Sequence, residues 1–509
     1  MKNRDNSIAW NYHDATKHSY WSVRSSGHGL DWDNRPFPFK VYPDLEPIPL
    51  PQSTEPLSYE ALSAISSVIA PTAGQPLPDL SALARILYLS AGITRRRSHS
   101  GGEFFFRAAS HTGAMYAIEL YLVCRDLPGL EAGVYHFGPG DFALRKLRSG
   151  DLRGVLVRAT AAEPAMVLSP AIIVSTGTYW RNAWKYQART YRHFGWDGGT
   201  LLANLLAAAT AVGLSARVVL GFVDAPVNGL LGLDTSREVA LSLVPLGYQE
   251  GLPTDHVPTV EPLTHATLAY SKSEVDYPLL REMHEASSLI SEPEAQDWRS
   301  GPNTIRPLKP AADFVPLSPI PDAAPSDSID RVIIRRGSTR QFARKAIALN
   351  QLSSILYHAT QGIPADFLDP PGNLLNDLYL IVHAVEDLSA GAYVLHRDSW
   401  ALEPLKAGQF RREAGHLGLD QELPADASAT VFFLANLNPI LERFGNRGYR
   451  AVQLEAGIIG GKMYLAAYAL GIGATGLTFY DDEVTEFFSP HAAGKSAIFL
   501  MAFGRPAGK

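Results

Sequence analysis

A single cysteine among 509 residues, Cys124, leaves no intrachain disulfide framework and no thiolate metal cluster. It stands in the apolar run Leu120–Cys124, where a small buried hydrophobe is its simplest role. Positive charge is not in excess either. Lysines and arginines number 45 against 51 acids, and the net charge of −6 argues against a nucleic-acid partner, whose phosphates need a basic face. Charged residues make up only 19% of the chain and apolar residues 46%, as expected when much surface is buried between domains. No segment approaches the roughly 20 uninterrupted apolar residues of a membrane span. The longest apolar region, Leu201 to Val212, is rich in alanine and suits a buried helix. The first residues, MKNRDNSIAWNYHDATKHSYW, lack the apolar stretch of a signal peptide. A soluble, cytoplasmic protein with no membrane partner is expected.

One hydrophobic core stops growing at roughly 250–300 residues, so two domains are expected. Seven prolines (Pro302, Pro307, Pro310, Pro316, Pro319, Pro321, Pro325) can neither continue a helix nor sit inside a sheet, and mark an extended connector. On this reading residues 1–52 form an N-terminal arm and 53–260 a first domain. Residues 261–326 form a helix plus the proline-rich linker, and 327–509 a second domain. The helix is Tyr277–Ile290, whose apolar spacing lets it pack on the first domain.

The two domains repeat each other. The stretch RTYRHFGWDGGTLLANLLAAATAVGLSARVVLGFVDAPV from Arg189 parallels RGYRAVQLEAGIIGGKMYLAAYALGIGATGLTFYDDEV from Arg447 at an offset of 258. That offset aligns Tyr191 with Tyr449, Arg192 with Arg450, Gly199 with Gly457, Gly213 with Gly471 and Asp224 with Asp482. A second block aligns Ile86, Leu87 and Tyr88 with Ile355, Leu356 and Tyr357 at an offset of 269, so the first half carries eleven extra residues between the blocks. Each half opens with a helix (Leu80–Ala91; Leu349–Thr360). Three strands follow (Glu119–Val123, Ala132–Phe137, Ala171–Ser175; Asp377–Val382, Ala390–Leu395, Ala429–Leu434). A long apolar helix (Thr200–Val212; Ile458–Leu470) then ends at glycine, a helix-stop signal, before a last strand (Val239–Pro245; Ser496–Phe503). Helices and strands do not alternate strictly, so the class is α+β.

Three motifs carry a family resemblance. The second half opens with Arg335-Arg336-Gly337-Ser338-Thr339-Arg340-Gln341-Phe342. The first half has Arg107 to Glu119, RAASHTGAMYAIE, and Lys185 to Arg192, KYQARTYR. In their order and spacing these resemble the nitroreductase-like flavoproteins, and within them the SagB-type dehydrogenases related to the azoline-oxidising enzymes of thiazole and oxazole peptide biosynthesis. The resemblance implies two tandem nitroreductase-like, FMN-dependent domains forming an intrachain pseudo-dimer, with flavin sites where the halves meet.

The resemblance places Arg336, Ser338 and Arg340 on FMN, the first two at its phosphate and Arg340 nearer the N1/C2 edge of the ring, where it would stabilise the anionic reduced flavin. In extended backbone, residues two apart share a face, and guanidinium forks grip phosphate oxygens in pairs. At the 269 offset the same positions in the first half are Ser67, Ile69 and Pro71, which carry no cation. The covering loop shows the opposite bias. Ser110, His111, Thr112 and Gly113 in the first half correspond to Asp369–Asn373, which has lost the small polar signature, and Lys185-Tyr186 corresponds to Arg443-Phe444. The surviving parts are split between the halves as one composite site requires, so one FMN per chain is expected. Arg95-Arg96-Arg97 reads as a solvated charge run in a loop.

In relatives, backbone N–H groups face flavin N5 near a glycine that survives here as Gly221, whereas the 258 offset puts Phe479 there in the second half. Gly476, Leu477 and Thr478 are the shifted equivalent. His111 stands where relatives often have serine, and either donates to the flavin or packs beside it. Arg505 is a further phosphate contact or a surface residue. Lys185 or Tyr186 would take the proton that accompanies hydride transfer to the flavin. Arg189 and Arg192 are expected to pair with Asp197. GxGxxG at Gly471–Gly476 follows a helix and enters a strand, the reverse of a dinucleotide turn, and is rejected as one. Asp481-Asp482-Glu483 reads as a charged turn without metal.

The expected function is FMN-dependent oxidation of a peptide-derived or natural-product substrate, with oxygen a plausible acceptor. An NAD(P)H-dependent nitro or quinone reductase and a catalytically degenerate flavin-binding protein remain as alternatives. Assembly beyond the intrachain pseudo-dimer, such as a further homo-oligomer, is left open.

Overall fold

Asp79 accepts the backbone N–H of Ala82 at 2.7 Å and starts the helix Leu80–Ala91; the matching helix, Leu349–Thr360, begins at the 269 offset. The computed structural model describes residues 2–52, 55–99, 102–249, 259–263, 265–301, 308, 313–320, 327–368 and 374–508. Pro302, Pro307, Pro310, Pro321 and Pro325 of the linker, and the Asp369–Asn373 segment, lie outside the described residues.

Each half is an antiparallel sheet covered by helices. The first sheet runs, edge to edge, Pro47–Pro49, Ala143–Ser149, Gly133–Gly138, Ile118–Cys124, Ala171–Thr178, Glu238–Leu246. The second runs Gly473–Leu477, Ser496–Gly504, Ala429–Ala435, Asp377–Val382, Gly391–His396, Ala401–Ala407, Val315–Pro316. The inner strands Ile118–Cys124 and Ala171–Thr178 are buried along their whole length, which explains their near-continuous apolar sequence. Cys124 is buried as expected, and burial pushes its thiol up to about 12.

The long helices are longer than their apolar runs. They span Thr190–Ala211 and Arg447–Ala469, starting about three turns before the expected Thr200 and Ile458. Both are buried on nearly every side, so no single apolar stripe betrays them, and glycines at about 1 kcal/mol each mask the helical signal. The glycines are there for contact. A Cβ on Gly195 would stand 2.5 Å from that of Gln453, one on Gly199 2.5 Å from the Gly457 Cα, and one on Gly461 2.6 Å from the Ala203 Cβ. Each pair consists of equivalent positions at the 258 offset, so the helices run side by side in the same sense and a pseudo-two-fold axis passes between them.

The offset slips once. Ala216 and Val219 bridge to Leu246 and Leu243, whereas Gly473 and Gly476 face Gly504 and Met501, so between 216 and 224 the offset is 257. Gly221 therefore corresponds to Thr478 rather than Phe479, and Asp224 to Asp481 rather than Asp482. The buried ion pairs confirm this. Asp224 holds Arg447 (2.6 Å) and Arg450 (2.9 Å), while Asp481 holds Arg192 (2.6 Å) and Arg189 (3.0 Å). Asp481 thus opens the helix Asp481–Phe488 as a buried anchor, not a charged turn, and Asp197 takes neither arginine.

The extra residues fall at a pair of antiparallel strands, Ile93–His99 with Gly102–Arg107, so Arg95–Arg97 form a strand rather than a loop. The Tyr277–Ile290 helix shortens to Pro278–Ala286 and touches the arm as well as the first half; a second helix, Glu292–Ser300, was not foreseen. The arm crosses to the far half, where Asn446 Nδ2 donates to the Lys2 and Asp5 carbonyls and His13 meets the Tyr449 hydroxyl at 3.1 Å.

Gly199→Ala should lower unfolding stability by about 1–3 kcal/mol, because its methyl meets backbone that cannot turn away. The neighbouring Gly198→Ala meets only a Leu454 methyl at 3.5 Å and should be neutral or stabilising by up to about 1 kcal/mol. Denaturant melts of the two variants check the opposite signs.

Candidate composite site between the halves

The helix Ile329–Arg335 stops at Arg336, which turns extended and sends its side chain across the interface. Its Nη2 donates to the carbonyl oxygens of Arg107 (3.2 Å) and Ala108 (2.9 Å) in the first half, and its guanidinium lies over the Tyr464 ring. Its Nε is buried with no acceptor. Ser338 Oγ lies 3.1 Å from the Tyr464 hydroxyl, which also accepts the Gly476 N–H at 2.6 Å. Arg340 is exposed, forms no ion pair among the described residues, and its charge bears on Lys185 and Tyr186.

The first half supplies the other wall. Ser110 is held through its carbonyl by the Thr200 hydroxyl at 2.6 Å. Thr112 donates its N–H and its hydroxyl to Asp197 Oδ1, both at 2.7 Å. Gly113 sits at φ +57°, and any Cβ there would run into the Tyr186 hydroxyl, so this turn and this tyrosine require a glycine. Burial and the nearby Arg107 push the His111 imidazole down to about 3, leaving it neutral, with Nε2 buried and unpartnered.

Lys185 and Tyr186 end the helix Tyr179–Tyr186 beside this loop, the ammonium 5.4 Å from the phenol ring. Their electrostatics diverge. Burial, then Arg340 and Arg35, lowers the Lys185 pKa, whereas burial and Asp197 raise that of Tyr186. Of the two, lysine is the one drawn toward a neutral, proton-accepting form.

Gly476, Leu477 and Thr478 leave the strand edge next to Tyr464. The Gly476 N–H is already taken, while the Thr478 N–H has no acceptor among the described residues and its Oγ1 is buried without a partner. Arg505 is drawn aside: its Nε donates to the Ala346 carbonyl at 3.0 Å. These contacts link Arg336, Ser338, Arg340, Ser110–Gly113, Lys185, Tyr186 and the Gly476–Thr478 segment, while Arg505, whose carbonyl accepts the Ala343 N–H, spends its Nε on Ala346.

The pseudo-equivalent place in the other orientation is filled by protein. Asp366 accepts the N–H groups of Leu220 (2.9 Å) and Gly221 (2.8 Å), the counterparts of Leu477 and Thr478. Residues 364–366 pair with Val218, and Gly362 packs so tightly on Ser66 that a Cβ would overlap its carbonyl. The Lys462 ammonium, buried and pushed down to about 7, caps the Gln361 and Gly362 carbonyls.

Asp197 was missed as a site residue. Its counterpart Glu455 holds the facing loop likewise, accepting from Leu375, Asn376 and the Asn376 amide, so a carboxylate at both offset positions was a usable signal. The two differ in one respect: Glu455 uses both oxygens, whereas Asp197 leaves Oδ2 buried and unpartnered. Tyr464 and Asp366 had no comparable signal. Among the described residues no cluster of histidine, cysteine and carboxylates could hold a metal, and no helix is long and apolar enough to cross a membrane.

Comparison with known proteins agrees with this duplicated architecture. The sequence profile of the nitroreductase family matches residues 82–248 and 333–505, together about two thirds of the chain. A nitroreductase-type structure from Anabaena variabilis superimposes with a TM-score of 0.77 at 27% identity, covering 98% of this chain and 99% of the other. A nitroreductase-type protein of Methanocaldococcus jannaschii is 26% identical over 168 residues, 33% of this chain and 80% of its own length. The trifolitoxin-processing protein TfxB of Rhizobium leguminosarum bv. trifolii is 29% identical over 177 residues, 33% of this chain and 47% of TfxB. The chain therefore spans about half of TfxB.

Burial pushes the Asp197 carboxyl up to about 7 despite its two donors. The folded chain then holds a proton that the unfolded chain has released, so this stability is complete below the ordinary carboxylate range and lost as pH rises through about 7. Asp197→Asn keeps an acceptor for Thr112 and needs no charge. Relative to the parent it should gain on the order of 2 kcal/mol between pH 5 and pH 8, read from denaturant melts at both pH values.

Proposed function

The chain belongs to the nitroreductase family, and on that premise we propose that it is an FMN-dependent oxidoreductase, SagB-type dehydrogenase-like, that oxidises a peptide-derived or natural-product substrate. Its likeness to a toxin-processing protein supports the substrate class. The observation that carries the cofactor reading is the contrast at the two sheet edges. In one, Asp366 satisfies the Leu220 and Gly221 amides; in the other, the Thr478 hydroxyl is buried without a partner among the described residues. The Thr478 hydroxyl and Arg336 Nε, buried without partners among the described residues, fit a large, acceptor-rich, anionic cofactor and fit an empty interior poorly.

In this reading Arg336 and Ser338 hold the phosphate, Arg340 lies nearer the N1/C2 edge of the ring, the Ser110–Gly113 loop covers the ring, and the Gly476–Thr478 segment lies along its edge. Bound FMN supplies the two-electron acceptor, taking hydride at N5. Lys185 takes the proton lost from the atom next to the oxidised carbon. Its depressed basicity leaves a larger neutral fraction near neutral pH than a solvent-exposed lysine has. Tyr186, held protonated and pinned over Gly113, orients the substrate as a hydrogen-bond donor. Asp197 fixes the loop through Thr112.

Denatured protein should release about one FMN per chain, since the second place is closed; two equivalents would refute the composite site. Arg336→Ala should lose FMN. Lys185→Ala should retain it while turnover of a thiazoline peptide falls by about 10²–10⁴. Rapid flavin bleaching by NAD(P)H would instead favour a nitro or quinone reductase.

A further inference from the structure

The paired strands Ile93–His99 and Gly102–Arg107 have no counterpart among the described residues of the other half, and the second runs directly into the covering loop. Their cross-strand pairs sort their side chains. Arg95 faces Phe106 and Arg97 faces Phe104 on one side, while Arg96 faces Phe105 on the other, where Phe105 packs on Phe39. The first side is open. Arg95, Arg97 and Phe104 are exposed, as is Arg96 on the other side, and Arg35 stacks over Phe104 at 4.9 Å. None of Arg35, Arg95 and Arg97 has a carboxylate partner among the described residues, in a chain whose net charge is −6. This side also borders the composite site, for the charge of Arg95 bears on Arg336 and that of Arg35 on Lys185.

Two further features narrow the ligand. The hairpin is a two-stranded sheet with no third strand among the described residues, so its outer edge offers free backbone N–H and C=O groups. Arg95 and Arg97 are two residues apart on one face, roughly 7 Å along a strand, which is the spacing of alternate side chains on a paired extended chain. We propose that the free edge of Ile93–His99 docks an acidic, extended peptide segment, with carboxylates at alternate positions meeting Arg95 and Arg97, and leads it toward the covering loop. Charges on an exposed edge also guard against aggregation, but that role is indifferent to which face they occupy. The inference rests on the reading of the site as one acting on peptide-derived substrates.

The test uses the full chain as purified and a rhodamine-labelled peptide of about eight residues alternating glutamate and valine, with a lysine–valine peptide as control, read by fluorescence anisotropy. The acidic peptide should bind at least about tenfold more tightly than the basic one, and the preference should fade between about 50 and 500 mM salt. The double change Arg95→Glu, Arg97→Glu should weaken acidic-peptide binding about tenfold, whereas Arg96→Glu, on the other face, should alter it less than about twofold. Flavin content, measured on the same samples, should not change, and its absence from the parent would count against the cofactor reading alone. Equal binding of the two peptides, an Arg96→Glu loss as large as the double change, or tighter binding of an oligothymidine at the same salt would overturn the proposal.

Discussion

The contact of Gly199 with Gly457 sets everything else in this molecule. Two helices that touch backbone to backbone bring the halves close enough for each to build on the other. A side chain of ordinary size would hold the axes at the usual 8–10 Å or more. At that distance the Arg336 guanidinium would no longer reach the Arg107 and Ala108 carbonyls, nor Trp196 Nε1 the Gln453 amide at 2.7 Å. The same helix that carries Gly199 carries Asp197 and Thr200, which fasten the covering loop, so the loop's position is tied to the crossing.

Around that contact the symmetry is kept where it serves packing. Asp224 with Arg447 and Arg450, and Asp481 with Arg189 and Arg192, are copies of one buried device. Buried ion pairs add little net stability once desolvation is counted, but removing one partner strands a charge at a cost of about 3–5 kcal/mol. Two such devices therefore penalise any sliding of one half along the other. The N-terminal arm adds a third tie, with Thr16 and His18 meeting the Arg192–Asp481 cluster.

Much of this was legible in the sequence. Both leading helices, four strands of each sheet and the repeat followed from apolar spacing and the two offsets, because these elements bury one recognisable face or lie wholly inside. The long helices were cut short for the reason that makes them useful: glycines and polar groups at a backbone contact look like helix breakers. The single-residue slip near Gly213 hid the match of Gly221 with Thr478, since a short loop carries no periodicity to register against. Arg336–Arg340 and the Ser110–Gly113 loop, which the structure brings to the interface between the halves, were visible as motifs. Asp197 was assigned to the wrong partner because spacing along one helix says nothing about the loop folded over it. Asp366 was invisible for a different reason, as it acts from a segment with no counterpart role.

The asymmetry needs a fused chain. In a dimer of identical subunits every substitution falls on both interface sites, so a plug like Asp366 would close both and a hairpin would border both. Joining the copies in one chain separates them: one half keeps the cradle and supplies the plug, the other keeps the loop and gains the hairpin. The two changes fall around opposite sites, and this is what makes them compatible. Asp366 ties down the Leu220 and Gly221 amides, which would otherwise be buried unpaired. The composite place keeps an added strand edge, and along it Arg35, Arg95 and Arg97 have no carboxylate partner among the described residues.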